Sequence, residues 1–286
     1  MENEVSGMKK SKIFSNFFMI AIIVWMLLPL VATFIYSLFK NWTDIIPTGF
    51  SFNSYETLFT NPRFFTALYQ TVLLCIVPII ITIIVMLLAL FVVTIYFPRL
   101  EKYVQILCMI PYTIQGVILS VSILSVYGKS GTVFGERMVM LIGAYCIIIL
   151  PHIYQGIRNS MHAISMPMLI EAAEMLGASR LYAFFRVIVP NIISGITVSS
   201  LLAVGILFGD YVIIRNLSGG GTTNLQIYLY QAMKRSTGES SAVIVIIMLL
   251  TFAITALVLY MQSKSTLEKI KREGRYESWH IFVLKM

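Results

Sequence analysis

The chain has 286 residues, of which 58% are hydrophobic and only 12% are charged. Soluble domains carry about 25% charged residues, so this composition excludes a soluble enzyme or binding module and indicates an integral membrane protein. The net charge of +8 need not indicate a nucleic-acid partner, because Lys and Arg collect on the cytoplasmic side of membrane proteins. We predict no such partner.

Six apolar segments are long enough to cross a bilayer as helices. A hydrocarbon core about 30 Å thick needs about 20 apolar residues in a helix, and backbone groups inside lipid must be satisfied within the segment itself. We therefore predict an all-α integral membrane protein with six transmembrane helices and no metal site. The predicted spans are residues 13–39, 67–97, 104–126, 139–157, 192–209 and 242–262.

The distribution of basic residues predicts which loops face the cytoplasm. With the N-terminus inside, the inner segments hold about twice as many Lys and Arg residues as the outer segments, as the positive-inside rule requires. We therefore predict a multi-pass protein with both termini cytoplasmic. It has a tail of residues 1–12, a transmembrane domain of residues 13–262 and a basic tail of residues 263–286. Residues 158–190 then form a cytoplasmic loop between the fourth and fifth spans.

The cytoplasmic loop contains a short polar island, EAAEMLGAS, at residues 171–179. Pro167 suits the first turn of a helix, and residues 168–176 favour helix formation. Gly177 is the type of residue that most readily ends a helix. The sequence therefore predicts a short helix between two spans, close to the membrane surface.

The predicted helix has two faces. Glu171 and Glu174 lie on one of them, and the other is an apolar stripe at the i, i+3, i+4, i+7 spacing. Small alanines in the stripe allow a partner to approach closely, and an acidic side chain can meet a basic residue of that partner. The alternative, a helix lying on the lipid of the inner leaflet, usually carries Lys and Arg rather than two acids on its polar face. The apolar stripe comprises Leu169, Ala172, Ala173 and Leu176.

The same stretch resembles the EAA loop of permease subunits in ATP-binding-cassette importers. Two valines replace the Ile and Leu that precede the last residue of the motif in that family. Six spans, an aromatic loop after the first span and an EAA loop between the fourth and fifth spans extend the resemblance over nearly the whole chain. The motif residues are Glu171, Ala172 and Ala173, then Gly177 after three residues, and finally Pro190.

This resemblance implies a mechanism and a set of partners. In the family, the EAA segment is a coupling helix that seats in a groove of a cytoplasmic ATPase subunit. The implied partners are two ATP-binding-cassette ATPase subunits, a second permease subunit (a paralogue or a second copy) and an extracytoplasmic solute-binding protein, all at a bacterial plasma membrane. The residues expected to carry the ATPase coupling are Glu171, Ala172, Ala173 and Gly177.

The chain itself is predicted to be a transport subunit rather than an enzyme. No GxxxxGK[ST] phosphate-binding loop occurs in the sequence, and such a loop is what cradles ATP phosphates in P-loop ATPases. We therefore expect the partner subunit to use the ATP, and we expect this chain to bind no cofactor.

A candidate substrate pathway rests on the few polar residues in or near the spans, since such residues are usually functional. Asp210 ends the fifth span, where a carboxylate could attract a cation or form a helix-end or inter-subunit salt bridge. The other candidates are Tyr211, Tyr112 and Gln115. We interpret His152 of the fourth span as a packing residue rather than a proton carrier.

The stretch of residues 209–243 resembles the corresponding part of spermidine/putrescine permeases. Gly209 stands where those permeases have one acid of a pair, and residues 224–226 replace a Leu-Pro element. The resemblance implies a small cationic or polar solute such as a polyamine. Permeases for ferric ion, thiamine, aminoethylphosphonate and sugars share the same scaffold, so these solutes remain alternatives.

Two other classes of membrane protein are alternatives to an importer permease. An ion-coupled carrier usually has paired internal repeats and acids near the bilayer midplane, whereas this sequence has one aspartate at a span end and no evident repeat. A membrane scaffold without a transport role has no use for a coupling-type loop. We therefore favour the importer permease.

Overall fold

The structure is a computed structural model that describes residues 2–41, 48–114, 116–129, 131 and 133–284. It is an all-α membrane protein apart from one short hairpin, which confirms the predicted fold class. Within the described chain, 5 helical stretches are long and apolar enough to cross a membrane. These stretches are Phe18–Ser37, Pro62–Tyr96, Arg137–His162, Arg180–Phe208 and Thr237–Leu257.

The helices are numbered in chain order, and two of them extend well beyond the predicted spans. The first helix begins at Glu2 and the last one continues to Leu284, so most of both predicted tails is helical. The bounds are α1 (Glu2–Ser37), α2 (Asn53–Thr60), α3 (Pro62–Tyr96), α4 (Glu101–Met109), α5 (Gly116–Tyr127), α6 (Arg137–His162), α7 (Met166–Met175), α8 (Arg180–Ala183), α9 (Val189–Phe208), α10 (Val212–Leu217), α11 (Leu225–Met233) and α12 (Thr237–Leu284).

The third predicted span, residues 104–126, is wrong as a continuous helix. α4 and α5 are joined through a 3₁₀ turn at Ile110–Thr113. Pro111 lies in this turn, where it has no backbone N–H to donate and its ring opposes a regular helix. The segment Pro98–Thr113 is inclined at 101° to α5. Counted as one span, this bent pair brings the number of candidate spans in the described residues to six, and we call the pair the broken span.

The predicted cytoplasmic loop, residues 158–190, is shorter in the structure. α6 continues to His162, and the next helical run begins at Arg180, with a π-helical turn at Phe184–Ile188 between α8 and α9. Residues 163–179 lie between these two runs and contain α7. We call residues 163–179 the EAA segment.

The chain divides into two compact units, and the first comprises residues 1–65 and 228–249. Here α1 leads into an antiparallel hairpin, which α2 follows. The sequence did not predict this hairpin, because strands of three residues are too short to show alternation of apolar and polar side chains. The hairpin strands are β1 (Phe39–Asn41) and β2 (Thr48–Phe50).

The second unit comprises residues 66–227 and 250–286, and the antiparallel pair α6 and α9 forms its core. The buried side chains of α6 recur at helical spacing and include Tyr145 and Tyr154, which are at most 1% exposed. On the facing helix, Ile192 is fully buried. The pair therefore places the EAA segment at one end of a packed core.

α6 and α9 approach most closely where a glycine of each helix faces a serine of the other. A Cβ on Gly195 would overlap the Ser160 hydroxyl and would lie 2.9 Å from the backbone oxygen of Gly156. Small residues four positions apart permit such close approach between membrane helices, whose association depends on packing and interhelical contacts. The crossing joins the two helical runs that enter and leave the EAA segment. The two contact pairs are Gly156 with Ser199 and Gly195 with Ser160.

Candidate functional site

α7 of the EAA segment begins and ends close to where the sequence predicts. It runs from Met166 to Met175, and Pro167 lies in its first turn. The Leu169 N–H donates to the Ser165 carbonyl oxygen at 3.1 Å, which is the first hydrogen bond of the helix and makes Ser165 its N-cap residue. Pro167 fits here because the first-turn amides of a helix have no intrahelical acceptor.

A Schellman motif closes the C-terminal end of α7. Gly177 has a φ of +83°, a left-handed conformation that glycine adopts at little cost. Its N–H donates to the Glu174 carbonyl oxygen at 2.9 Å. The Ala178 N–H donates to the Ala173 carbonyl oxygen at 3.0 Å. The motif fixes the direction in which the chain leaves the helix.

A second helix starts directly after this turn. Ser179 Oγ accepts a hydrogen bond from the Tyr182 N–H at 3.3 Å and thereby caps α8. Across the same turn, Arg180 Nε donates to Glu174 Oε1 at 2.6 Å. Glu174 is therefore engaged inside the EAA segment, whereas Glu171 is exposed on the outer side of α7.

The exposed surface of α7 differs from the predicted apolar stripe. Met166 and Ile170 are buried, at 5% and 8% exposure. Leu169 and Ala173, two members of the stripe, are half-buried. The other two members are exposed together with Glu171 and two methionines. We call this exposed set the α7 surface, and it consists of Met168, Glu171, Ala172, Met175 and Leu176.

The difference arises because α7 packs against its own bundle along one side. The predicted stripe lies across the edge between the packed side and the outer side of α7, so only two of its four residues are exposed. On the outer side, Met175 and Leu176 are each 89% exposed. The exposed apolar side chains surround one carboxylate, and hydrogen bonds fix the helix end that carries them. Such a surface is suited to insertion into a partner.

Asp210 lies between α9 and α10, where three donors bind its carboxylate. The Tyr145 hydroxyl donates to Oδ2 at 2.9 Å, and the N–H groups of Ile213 and Ile214 donate at 3.3 Å each. These amides belong to the first turn of α10, which Asp210 therefore caps. Burial raises the pKa of the Asp210 carboxyl above its usual value, and the hydrogen bond from Tyr145 offsets only part of this rise.

We call residues 209–227 the glycine-rich segment. Several side chains without a predicted role form hydrogen bonds with the backbone in and next to this segment. Asn224 Nδ2 donates to the Asp210 carbonyl oxygen at 3.0 Å, and Gln226 Nε2 donates to the Phe208 carbonyl oxygen at 2.9 Å. These two amides occupy the positions that depart from the spermidine/putrescine pattern. Two side chains of α3 also accept backbone N–H groups of this segment, namely Gln70 and Thr71.

Tyr112 lies in the turn between α4 and α5. Its ring meets the ring of His152 edge to face, with the centroids 5.0 Å apart. Its hydroxyl lies 3.5 Å from Gln155 Oε1. Gln155 is exposed although it lies within an apolar span, and polar side chains in such positions usually face a partner or water.

The structure does not gather the described pathway candidates into one cluster. Tyr112 contacts side chains of α6 near the break in the third span, whereas Asp210 caps α10. Tyr211 follows Asp210 directly and is half-buried. Gln115 lies outside the described residues. The pathway role of all four residues stays a prediction.

The chain is similar to known transport proteins in sequence. Residues 98–266 match the family model described as binding-protein-dependent transport system inner membrane component. Over 243 residues the chain is 25% identical to the spermidine/putrescine transport system permease protein PotC of Haemophilus influenzae, covering 85% of this chain and 93% of that protein. The match to PotC covers more of the chain than the family model does.

Solved structures share the fold at lower identity. A bacterial ABC transporter involved in the import of the acidic polysaccharide alginate has a chain that superposes with a TM-score of 0.66 at 17% identity, covering 87% of this chain and 95% of that one. A bacterial alginate ABC transporter in complex with an alginate pentasaccharide-bound periplasmic protein gives a TM-score of 0.57 at 16% identity, covering 85% and 90%.

The family match includes the features described above. It contains the broken span, the EAA segment with α7 and the glycine-rich segment, and it amounts to more than half of the chain. The expected resemblance to importer permeases is thereby confirmed. The chain belongs to the family of binding-protein-dependent transport system inner membrane components, the permease subunits of ATP-binding-cassette importers.

Proposed function

We propose that this chain forms half of the translocation pathway of an importer and receives the force of an ATPase through the α7 surface. The observation that carries this proposal is the exposure of Met175 and Leu176 beside Glu171, at the end of a helix closed by hydrogen bonds. Such a surface offers apolar area for burial and one acid for a charge-assisted hydrogen bond. The role of Gly177 is to hold this surface at a defined angle.

The surroundings of the EAA segment support a mechanical role. α6 enters the segment and the run from α8 to α9 leaves it, and the Gly156–Ser199 and Gly195–Ser160 contacts join these two arms directly. Packed cores rearrange between discrete states rather than deform continuously. A displacement of α7 therefore moves α6 and α9 together.

The proposed assembly contains two ATPase subunits, a second permease subunit and an extracytoplasmic solute-binding protein. The distribution of Lys and Arg supports an orientation with the EAA segment and both termini in the cytoplasm. ATP is bound and hydrolysed by the ATPase subunits. This arrangement follows the family, in which the permease lies in the inner membrane.

A polyamine is the solute that we propose. The similarity to PotC supports it. The two structural neighbours belong to transporters of an acidic polysaccharide, but at 16% and 17% identity they support the fold alone. The Asp210 carboxylate contributes negative charge near the end of α9, although protein donors already bind it.

The coupling role is tested by reversing the charge on the α7 surface. With Glu171→Lys, we expect the affinity of the detergent-purified permease for its ATPase to fall by about tenfold or more, because a charge-assisted contact becomes a repulsion. Glu136→Lys is the matched control, since Glu136 is an exposed glutamate outside the EAA segment. Equal ATPase binding by both variants would contradict the assignment of the α7 surface.

The solute is tested separately on the assembled transporter in proteoliposomes. We expect labelled spermidine to accumulate only when ATP and the binding protein are both supplied, and unlabelled putrescine to compete with it. Thermal melting of the binding protein against spermidine, thiamine, aminoethylphosphonate, ferric ion and alginate oligosaccharides gives an independent answer. A melting shift with one of the other solutes alone would contradict the polyamine proposal and leave the coupling proposal intact.

A further inference from the structure

A charged cluster lies beside the start of α7, inside the second unit. Arg158 Nε donates to Glu101 Oε1 at 3.0 Å, and His162 Nε2 lies 3.5 Å from the same oxygen. Glu101 and Arg158 are both less than one-third exposed, whereas His162 is 61% exposed. One carboxylate therefore connects the first residue of α4 with the last turns of α6.

The position of this cluster links it to the EAA segment. Glu101, Arg158 and His162 line a cavity of about 200 Å³, together with Met166 and Pro167 of α7. The rest of the cavity wall is mainly apolar. A charge pair in such surroundings is screened less by water than a pair on an open surface.

The helix ends explain why these residue types occur here. Glu101 lies in the first turn of α4, where the helix dipole favours an acid. Arg158 and His162 lie near the C-terminal end of α6, where the dipole favours a base. The charges of the ion pair thus compensate the dipoles of both helices, and no ligand is needed to account for them.

The main contacts that hold α4 and α5 differ, although both helices touch α6. α4 is tied to α6 through Glu101, and α6 is locked to α9 by the glycine–serine crossing. α5 packs mainly against α10, where Asn216 Nδ2 donates to Ser120 Oγ at 2.7 Å, and it also contacts α6. The 3₁₀ turn between α4 and α5 therefore separates two differently anchored halves of one span.

We propose that Glu101 is a positioning residue that transmits the displacement of α7 to α4, so that the broken span bends at its 3₁₀ turn during transport. This inference rests on the proposed function, because it takes the α7 surface as the point where force enters. It adds a second connection, from the EAA segment to the third span. Without the Glu101–Arg158 pair, α6 moves and α4 does not follow.

The test uses charge swaps in the assembled transporter. For the single variants E101R and R158E, we expect the number of solute molecules imported per ATP hydrolysed to fall about tenfold, within the range of coupling between distant sites. ATPase binding stays within about twofold of the unmodified protein, because the α7 surface is untouched. The double variant E101R/R158E restores the ion pair and recovers at least half of the import ratio.

Two further variants separate transmission from stability. The isosteric E101Q variant removes the charge without repulsion and lowers the import ratio while the melting temperature stays close to that of the unmodified protein. H162Q leaves the import ratio within about twofold, because His162 is largely exposed and 3.5 Å from Glu101. Parallel losses of melting temperature, ATP hydrolysis and import in E101Q would assign Glu101 a purely structural role.

The outcome also separates this inference from the proposed function. If the unmodified transporter shows no ATP-driven import, the proposed function itself fails. If it imports solute and the single swaps keep the full import ratio, or if the double swap recovers no more than the singles, only the role of Glu101 is overturned.

Discussion

The same two helices, α6 and α9, are joined by different physical means at their two ends. Next to the EAA segment the contact depends on shape, since glycine and serine let the backbones touch. Near the glycine-rich segment it depends on hydrogen bonds, through Tyr145 and Asp210. Closely packed backbones fit together in one arrangement, whereas hydrogen-bonding groups can exchange partners. The comparison predicts a rigid coupling end and an opposite end that rearranges more easily.

The largest loss of stability is expected when hydrogen bonds are removed next to the glycine-rich segment. Asp210→Ala leaves the buried Tyr145 hydroxyl and the amides of two buried isoleucines without their acceptor, which costs about 3 kcal/mol of unfolding free energy. Asp210→Asn keeps one acceptor oxygen but replaces the other with an NH₂ donor, so we expect it to cost about 1–2 kcal/mol, less than Asp210→Ala. Thermal melting of the purified permease measures both.

The two Asp210 variants also distinguish a structural role from a pathway role. If Asp210→Asn stays folded at the assay temperature and still imports solute, the carboxylate is a helix cap and no pathway charge is needed there. If the variant stays folded and loses import, the negative charge itself serves transport. Equal melting of Asp210→Ala and the unmodified protein would contradict the importance of hydrogen bonds at this end.

A smaller loss of stability is expected when the close crossing of α6 and α9 next to the EAA segment is overpacked. Gly195→Ala places a Cβ against Ser160 and the Gly156 backbone, and overpacking of this kind costs about 2 kcal/mol. Gly205→Ala is the matched control in the same helix, because no atom lies within 4 Å of its added Cβ. Melting temperatures of the two variants give the difference.

A compensating change sharpens this test. In the double variant Ser160→Gly/Gly195→Ala, loss of the Ser160 hydroxymethyl group makes room for the new methyl group at position 195, so we expect part of the lost stability to return. If Gly195→Ala and Gly205→Ala melt alike, the close crossing does not determine the rigidity of the coupling end.

The smallest loss of stability is expected for alanine substitutions at two glycines, one in the EAA segment and one in the glycine-rich segment. Gly177 and Gly220 have φ values of +83° and +88°, and no atom lies within 4 Å of a Cβ added to either. Alanine at each position costs about 1 kcal/mol through backbone strain alone. Because only Gly177 orients the α7 surface, we expect Gly177→Ala to lower the import per ATP hydrolysed more than Gly220→Ala does. Equal import ratios would contradict a special role for the exit from α7.

The sequence predicted those features that depend on neighbouring residues. Long apolar runs specify spans, and the Pro167 to Gly177 spacing specifies α7, because helix starts and ends have local chemical requirements. The bend in the third span was missed, although Pro111 was visible, because proline is tolerated in many membrane helices.

The remaining features depend on which helices meet. Half of the predicted apolar stripe of α7 faces the bundle, and a single sequence does not show which side of a short helix a neighbour covers. The pairing of Gly156 with Ser199 and the ion pair of Glu101 with Arg158 join residues far apart along the chain. Asn224 and Gln226 differed from the family pattern, and their hydrogen bonds became apparent only from the folded backbone.

The bend between α4 and α5 restricts what can surround it. At such a corner the regular ladder of backbone bonds is interrupted, and hydrocarbon tails offer no donors or acceptors to complete it. Acyl chains therefore cannot coat this corner. In the working transporter it must be wetted or covered by another polypeptide, and the exposed side chains of Tyr112 and Gln155 mark that non-lipid boundary.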